Sequence, residues 1–217
     1  MAGRLPAQLR RAGAWAALWL AVGCGRAPAG SPVPPPTHAG PPGTIRGTLR
    51  PATPDGPPKG VLVRVLDPTP SAPPPVPLVL EERDGRFVPE VGAVVAGQGL
   101  VMRSHARTSH AWRAARGADA IFHLSQPAGA PELARTLPDG EGPVRVQCDE
   151  HPTAVAHLFV QPNGQFATAD EAGHFELTGV AAGFHTLETW RPGLPARRQT
   201  VQVPPGGVLE LQVPSGR

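Results

Sequence analysis

The sequence predicts an all-β protein, and three observations lead there. Its 217 residues include 30 prolines and 26 glycines, and prolines at that frequency break a helical bundle. Apolar residues fall in short runs, several alternating with polar ones at the period of a half-buried strand. Gly and Pro separate these runs at regular intervals, the pattern of sandwiches or barrels rather than of a parallel sheet. Roughly 170 residues are expected to fold, enough for one large β domain or two small ones.

The first segment reads as a leader. Arg10 and Arg11 precede the apolar run from Ala12 to Gly23, with Trp15, Leu18, Trp19, Leu20 and Val22. A charged start and an apolar run too short to span a bilayer form an export signal. The run ends in Leu20-Ala21-Val22-Gly23-Cys24, which resembles a bacterial lipoprotein signal with Ala21 where leucine is commoner. That resemblance implies removal of residues 1–23 and acylation of Cys24, which anchors the chain to a membrane when more than one acyl chain is attached. Gly25, rather than Asp, points to the periplasmic side of an outer membrane. Arg4, Arg10 and Arg11 carry all the charge before Cys24, so their loss takes the formal net charge from +3 to 0. Lys59 is the only lysine, and nothing in the sequence forms the basic footprint of a nucleic-acid binder.

Residues 24–43 are mostly Pro, Gly, Ala and Ser, a tether with little to bury. Thr44–Leu49 then alternates, and Val61–Leu66 is a β-branched run. Pro68–Pro77 reads as an exposed loop. Further strands are expected at Val91–Ala96, Leu100–Arg103, Pro143–Gln147, Ala154–Val160, His174–Leu177, His185–Trp190 and Thr200–Val203. Only Ala130–Thr136 could make a short helix, or else a loop.

With Cys24 acylated, Cys148 is left as an unpaired thiol. In an export compartment such a thiol is a liability unless it is buried or bound to metal. Cys148-Asp149-Glu150-His151-Pro152 puts a thiolate and an imidazole three residues apart in one tight loop. Adding an imidazole from a distant strand, for which His110 is the candidate, completes the trigonal Cys-His₂ set of a blue-copper centre. His105 reads as a surface residue, with metal ligation as its alternative, and His123, His157, His174 and His185 have no metal-type spacing. His157 shares strand phase with Val155 and Phe159 and is expected to point inward. Met102 is assigned to core packing, and Trp112 and Trp190 to core or edge packing, with a sugar-binding platform as their alternative. A thiol–imidazole pair can also catalyse, but no third orienting residue is evident. Cys-x-x-Cys-His, Gly-x-Ser-x-Gly and Gly-Lys-Ser/Thr are all absent from the sequence, and no enzyme active site is legible.

The order of motifs resembles a known family. Asp84-Gly85-Arg86-Phe87-Val88-Pro89-Glu90-Val91 leads into Val94–Val101, then His110, Val144–Cys148 and His151-Pro152. This is similar to the cupredoxins, in particular amicyanin-like and plastocyanin-like domains, and implies a Greek-key β-sandwich with copper near one end. The resemblance assigns His110, Cys148 and His151 as ligands of one copper ion. It places Ala154 where the family has an axial Met. Ser104, Ala106 and Ala111 stand where the family has Asn, an acidic residue and Asn, the side chains that tie the ligand loops together.

A second resemblance brackets the first. Gly47-Thr48-Leu49, Pro57–Val63, Thr168–Phe175, Ala182–His185 and Trp190 are similar to the strands of a carboxypeptidase-regulatory-like, transthyretin-like β-sandwich. Residues 44–67 plus 161–213 would form that module, with a cupredoxin-like domain over 68–160. Two functions follow as expectations. One is a lipid-anchored copper protein that carries electrons to or from a redox partner protein, or handles copper. The other is a metal-free cupredoxin fold kept as a structural or binding module.

Overall fold

The chain opens with two strands whose partners all lie after Gln165, so sequence order and spatial order part at once. The computed structural model describes residues 40–50, 60–66, 71–105 and 107–214. The leader, Cys24, residues 24–39 of the tether, Pro57–Lys59, the first part of the Pro68–Pro77 loop and Ala106 lie outside these residues. Residues 40–42 are exposed, but Gly43 is buried in the first strand, so the tether ends one residue earlier than expected. Residues 71–76 are exposed, as a proline-rich connection should be. All regular structure among the described residues is β.

Strand β1 (Gly43–Arg50) pairs antiparallel with β13 (His174–Val180) and parallel with β16 (Val208–Pro214). Strand β2 (Leu62–Val65) pairs with β12 (Phe166–Thr168) and β14 (Gly183–Trp190), and β15 (Arg197–Val203) completes that sheet. These two sheets enclose Ile45, Leu49, Val63, Phe175, Leu177, Leu187 and Val203. Phe175 lies over Gly47, where any Cβ would overlap the ring, which accounts for glycine there.

Between β2 and β12 the chain makes a second sandwich. Its smaller sheet has the order β4 (Arg86–Val88), β3 (Leu78–Arg83), β6 (Gly99–Ser104), β9 (Leu133–Thr136). Its larger sheet has the order β5 (Val91–Val95), β11 (Val155–Gln161), β10 (Gly142–Cys148), β7 (His110–Arg116), β8 (Asp119–Gln126). The links β4–β5, β5–β6, β6–β7, β8–β9 and β9–β10 each cross from one sheet to the other, as in Greek-key sandwiches. Asp84 and Gly85 join β3 to β4 with φ of 51° and 72°, the two left-handed residues that a tight hairpin turn needs. The core holds Leu80, Phe87, Leu100, Met102, Trp112, Val144, Val146, Leu158 and Val160.

The all-β expectation holds, with one local correction. Ala130–Thr136 forms no helix. Leu133–Thr136 is edge strand β9, held by antiparallel pairing with Gly99–Met102. Four residues cannot sustain a helix on propensity alone, so pairing with a neighbouring edge decides.

The two sandwiches meet along a seam. Every residue of β2 is buried because Val63 and Val65 face one core while Leu62 and Arg64 face the other sandwich. Leu62 packs with Ala93, Phe159, Phe166 and Trp190. The Arg64 guanidinium lies 4.1 Å from the centre of the Phe159 ring and pairs with Glu188 at 2.6 Å, while Glu188 also binds Arg198. His157 belongs on this side too. It shares phase with Phe159 as expected, but Ala156, Leu158 and Val160 fill its own core, so His157 points toward the seam, where it helps line clefts with Trp190 and Pro192.

Candidate metal centre

Three strand ends of the inserted sandwich converge at one pole. Cys148 is the last residue of β10, His110 the first of β7, and His151 lies in the loop that leads into β11. The antiparallel pair β7–β10 sets Cys148 opposite Trp112, which puts His110 within reach of the thiol. Cys148 Sγ is 3.6 Å from His110 Nδ1 and 3.7 Å from His151 Nδ1, and the three atoms lie within 4.8 Å of one another. Bonds of about 2.0–2.1 Å to nitrogen and 2.3 Å to sulfur, set about 110–120° apart, would hold S and N about 3.5–3.8 Å apart. The donor spacing therefore fits one first-row metal ion, and a thiolate with two imidazoles suits copper.

Backbone bonds brace the ligand loop. Cys148 N–H donates to the Ala154 carbonyl at 3.2 Å, and Ala154 N–H to the His151 carbonyl at 2.8 Å. Asp149 N–H donates to the Ala111 carbonyl at 2.9 Å, so the loop is tied to β7 through main chain, where the resembling family uses an Asn side chain. The Thr153 hydroxyl donates to the Gly85 carbonyl at 2.8 Å and fixes the loop to the β3–β4 turn. These ties hold the ligand loop without a side-chain bond from Ala111.

Burial grades across the site. Cys148 and His110 are 1% and 3% exposed, whereas the His151 side chain is 29% exposed. The His110 ring packs 5.5 Å from Trp112 and 5.1 Å from His151 between centroids. Trp112 is itself fixed, with its indole N–H donating to Gln126 Oε1 at 2.8 Å and Phe87 against its face. Burial pushes the His110 pKa below the ordinary histidine value, opposed by the Glu82 charge and reinforced by His151. A neutral imidazole keeps the Nδ1 lone pair free as a donor. His110 Nε2 is buried without a hydrogen-bond partner, so packing and not a second hydrogen bond orients the ring.

The other residues singled out fall elsewhere. Met102 and Trp112 are fully buried core residues, and Trp190 packs edge-on against Phe159 at the seam. His105 is exposed beside Glu81, and His123 faces Asp149 on the surface. Ala154 is buried in the core beside the ligand loop. Glu82 is a residue that sequence reasoning passed over. Its carboxylate is 1% exposed, with Oε1 3.9 Å from His151 Nδ1. The strand period carried the signal, since Leu80 and Glu82 share a face of β3.

No family model and no curated protein matches the chain. Solved structures it resembles include amicyanin and a purple cupredoxin. Amicyanin from Paracoccus versutus aligns at 17% identity over 48% of this chain and 99% of its own, with a TM-score of 0.34. A purple cupredoxin from Nitrosopumilus maritimus aligns at 14% identity over 39% and 99%, with a TM-score of 0.32. A copper-containing nitrite reductase from Thermus scotoductus aligns at 16% identity over 43% of this chain and 25% of its own, at 0.35. The reading of the site rests on its own geometry and not on these likenesses.

Proposed function

We propose that the inserted sandwich binds one copper ion through His110 Nδ1, Cys148 Sγ and His151 Nδ1, and that the protein carries electrons or copper at the cell envelope. The convergence of these three donors at 3.6 and 3.7 Å supports this reading above all else. Copper would supply a one-electron Cu(II)/Cu(I) couple. The chain's part is to hold the donors still: Trp112 packs against His110, and the backbone-braced loop positions Cys148 and His151. Burial of Cys148 keeps other thiols and oxidants away from the sulfur, while the part-exposed edge of His151 leaves a path to a redox partner protein.

The copper reading is tested by titrating the reduced protein with copper. One equivalent should bind with visible thiolate charge-transfer absorption, and Cys148→Ser should lose both. A reduced, folded protein that takes up no copper overturns the reading and leaves a metal-free structural module. The unpartnered His110 Nε2 is the observation that favours that second reading.

The location and the modular division are part of the proposal. The Leu20–Cys24 motif supports a lipid-anchored, periplasm-facing protein of the outer membrane. Cys24→Ser should then leave the protein unprocessed or free of the membrane, and an unmodified mature N-terminus at another residue would exclude it. The pairing of β1 and β2 only with strands after Gln165 supports a regulatory-like sandwich of residues 44–67 and 161–213 around the copper domain.

A further inference from the structure

We infer that Glu82 sets which ions the centre prefers: its buried carboxylate makes the donor set match a divalent ion rather than a monovalent one. This rests on the metal-binding reading above and deepens it. Glu82 comes from β3, a strand that supplies none of the three converging donors. Oε1 accepts the Gly85 N–H at 2.9 Å and Oε2 accepts the Ser104 hydroxyl at 2.8 Å. Those are neutral donors, which satisfy hydrogen bonding but leave the charge. Among the described residues the basic side chain within 4.0 Å of it is His151, whose Nδ1 lies 3.9 Å away and is the same nitrogen that faces Cys148 Sγ. A carboxylate buried this deeply is costly without a counter-charge, and no Arg or Lys supplies one among the described residues.

A cation at the Cys-His₂ centre would. Thiolate and two neutral imidazoles carry one negative charge, which balances a monovalent ion. With Glu82 the total is two, which balances a divalent ion. A cleft of about 490 Å³ lined by Glu82, Arg83, Asp84, Gly85, His105 and His151, with Arg83 paired to Glu81, gives a hydrated ion a way in from the carboxylate side. Charge placed this close in a poorly solvated site is screened little, so Glu82 also favours Cu(II) over Cu(I) and lowers the reduction potential.

The test compares wild type and Glu82→Gln, which keeps the shape and one acceptor, using Co(II) and Ag(I) as divalent and monovalent probes of the reduced full chain. The substitution should weaken Co(II) at least about tenfold and leave Ag(I) within about threefold. The Cu(II)/Cu(I) midpoint should rise by at least about 59 mV, the one-electron equivalent of tenfold. Equal weakening of both probes, or no change in either, overturns the inference while wild-type binding upholds the metal site. A wild type that binds neither probe overturns the metal site itself. Ser104→Ala serves if Glu82→Gln does not fold, because it removes a hydrogen bond and keeps the charge. It should preserve the preference for Co(II), and equal loss of both ions would reduce Glu82 to a structural role.

Discussion

The two sandwiches are built from the same parts and use buried polarity in opposite ways. Each pairs two sheets, each includes a parallel strand pair, and each fills its middle with aliphatic side chains. In the inserted sandwich the buried His110, Cys148 and Glu82 meet the half-buried His151 at one pole. In the other, the core cluster is wholly apolar, and the buried charges Arg64 and Glu188 lie on the outer face, against its neighbour. Architecture is therefore silent about chemistry, and the placement of a few polar side chains decides it.

The largest test of this contrast is aimed at the seam. Arg64→Ala strands Glu188 with only the solvent-exposed Arg198, and should cost about 3–5 kcal/mol in urea unfolding. The double substitution Arg64→Met with Glu188→Leu should regain most of that. A single-substitution loss under about 1 kcal/mol would mean that the seam charges behave as surface ones.

Next come the cores. Leu158→Ala in the inserted sandwich and Leu187→Ala in the other should each cost about 2–5 kcal/mol. Both should shift one shared transition, followed by tryptophan fluorescence and by circular dichroism, because the Leu62–Ala93–Phe159–Phe166–Trp190 cluster couples the halves. Two separated transitions would break the coupling. Copper at about 100 times its dissociation constant should add about 2.7 kcal/mol, and Cys148→Ala should abolish that gain.

The smallest effect is a pH slope. Burial, helped by Arg145, lowers the His157 pKa below its ordinary 6.5. The unfolded chain then binds more protons than the folded one below 6.5. This contribution is complete above pH 6.5 and is lost as pH falls through the lowered folded value. His157→Gln should flatten stability over that range, and an unchanged slope would remove His157 from the account.

Much of this was legible in the sequence where strands carry β-branched runs. Val61–Leu66, Val91–Ala96 and Ala154–Val160 all correspond to strands within a residue or two at each end. β7 was expected only as the strand that carries His110, without a range, because His-Ala-Trp-Arg-Ala-Ala-Arg has the composition of a helix and becomes a strand only through pairing with β8 and β10. β9 failed for the same reason. The convergence of His110, Cys148 and His151 could be anticipated because Cys-x-x-His is local and the third donor opens a strand. Glu82 escaped because Glu-Glu-Arg reads as a solvated charge run, although its phase with Leu80 already aimed it inward.

The hydrogen bonds that join Ser71 to the chain around Pro162 have a consequence for folding. Ser71 N–H donates to the Pro162 carbonyl at 2.9 Å, and Gly164 N–H to the Ser71 hydroxyl at 3.2 Å. β1 and β2 precede the inserted sandwich in the chain, yet their partners all follow it. Once the intervening stretch has folded, its pinned ends act as a clasp that replaces a long floppy loop by a short one, removing most of the closure entropy that distant pairing would face. The chain is thus expected to fold from the middle outward, the inserted sandwich first and the half that carries β1 and β2 last.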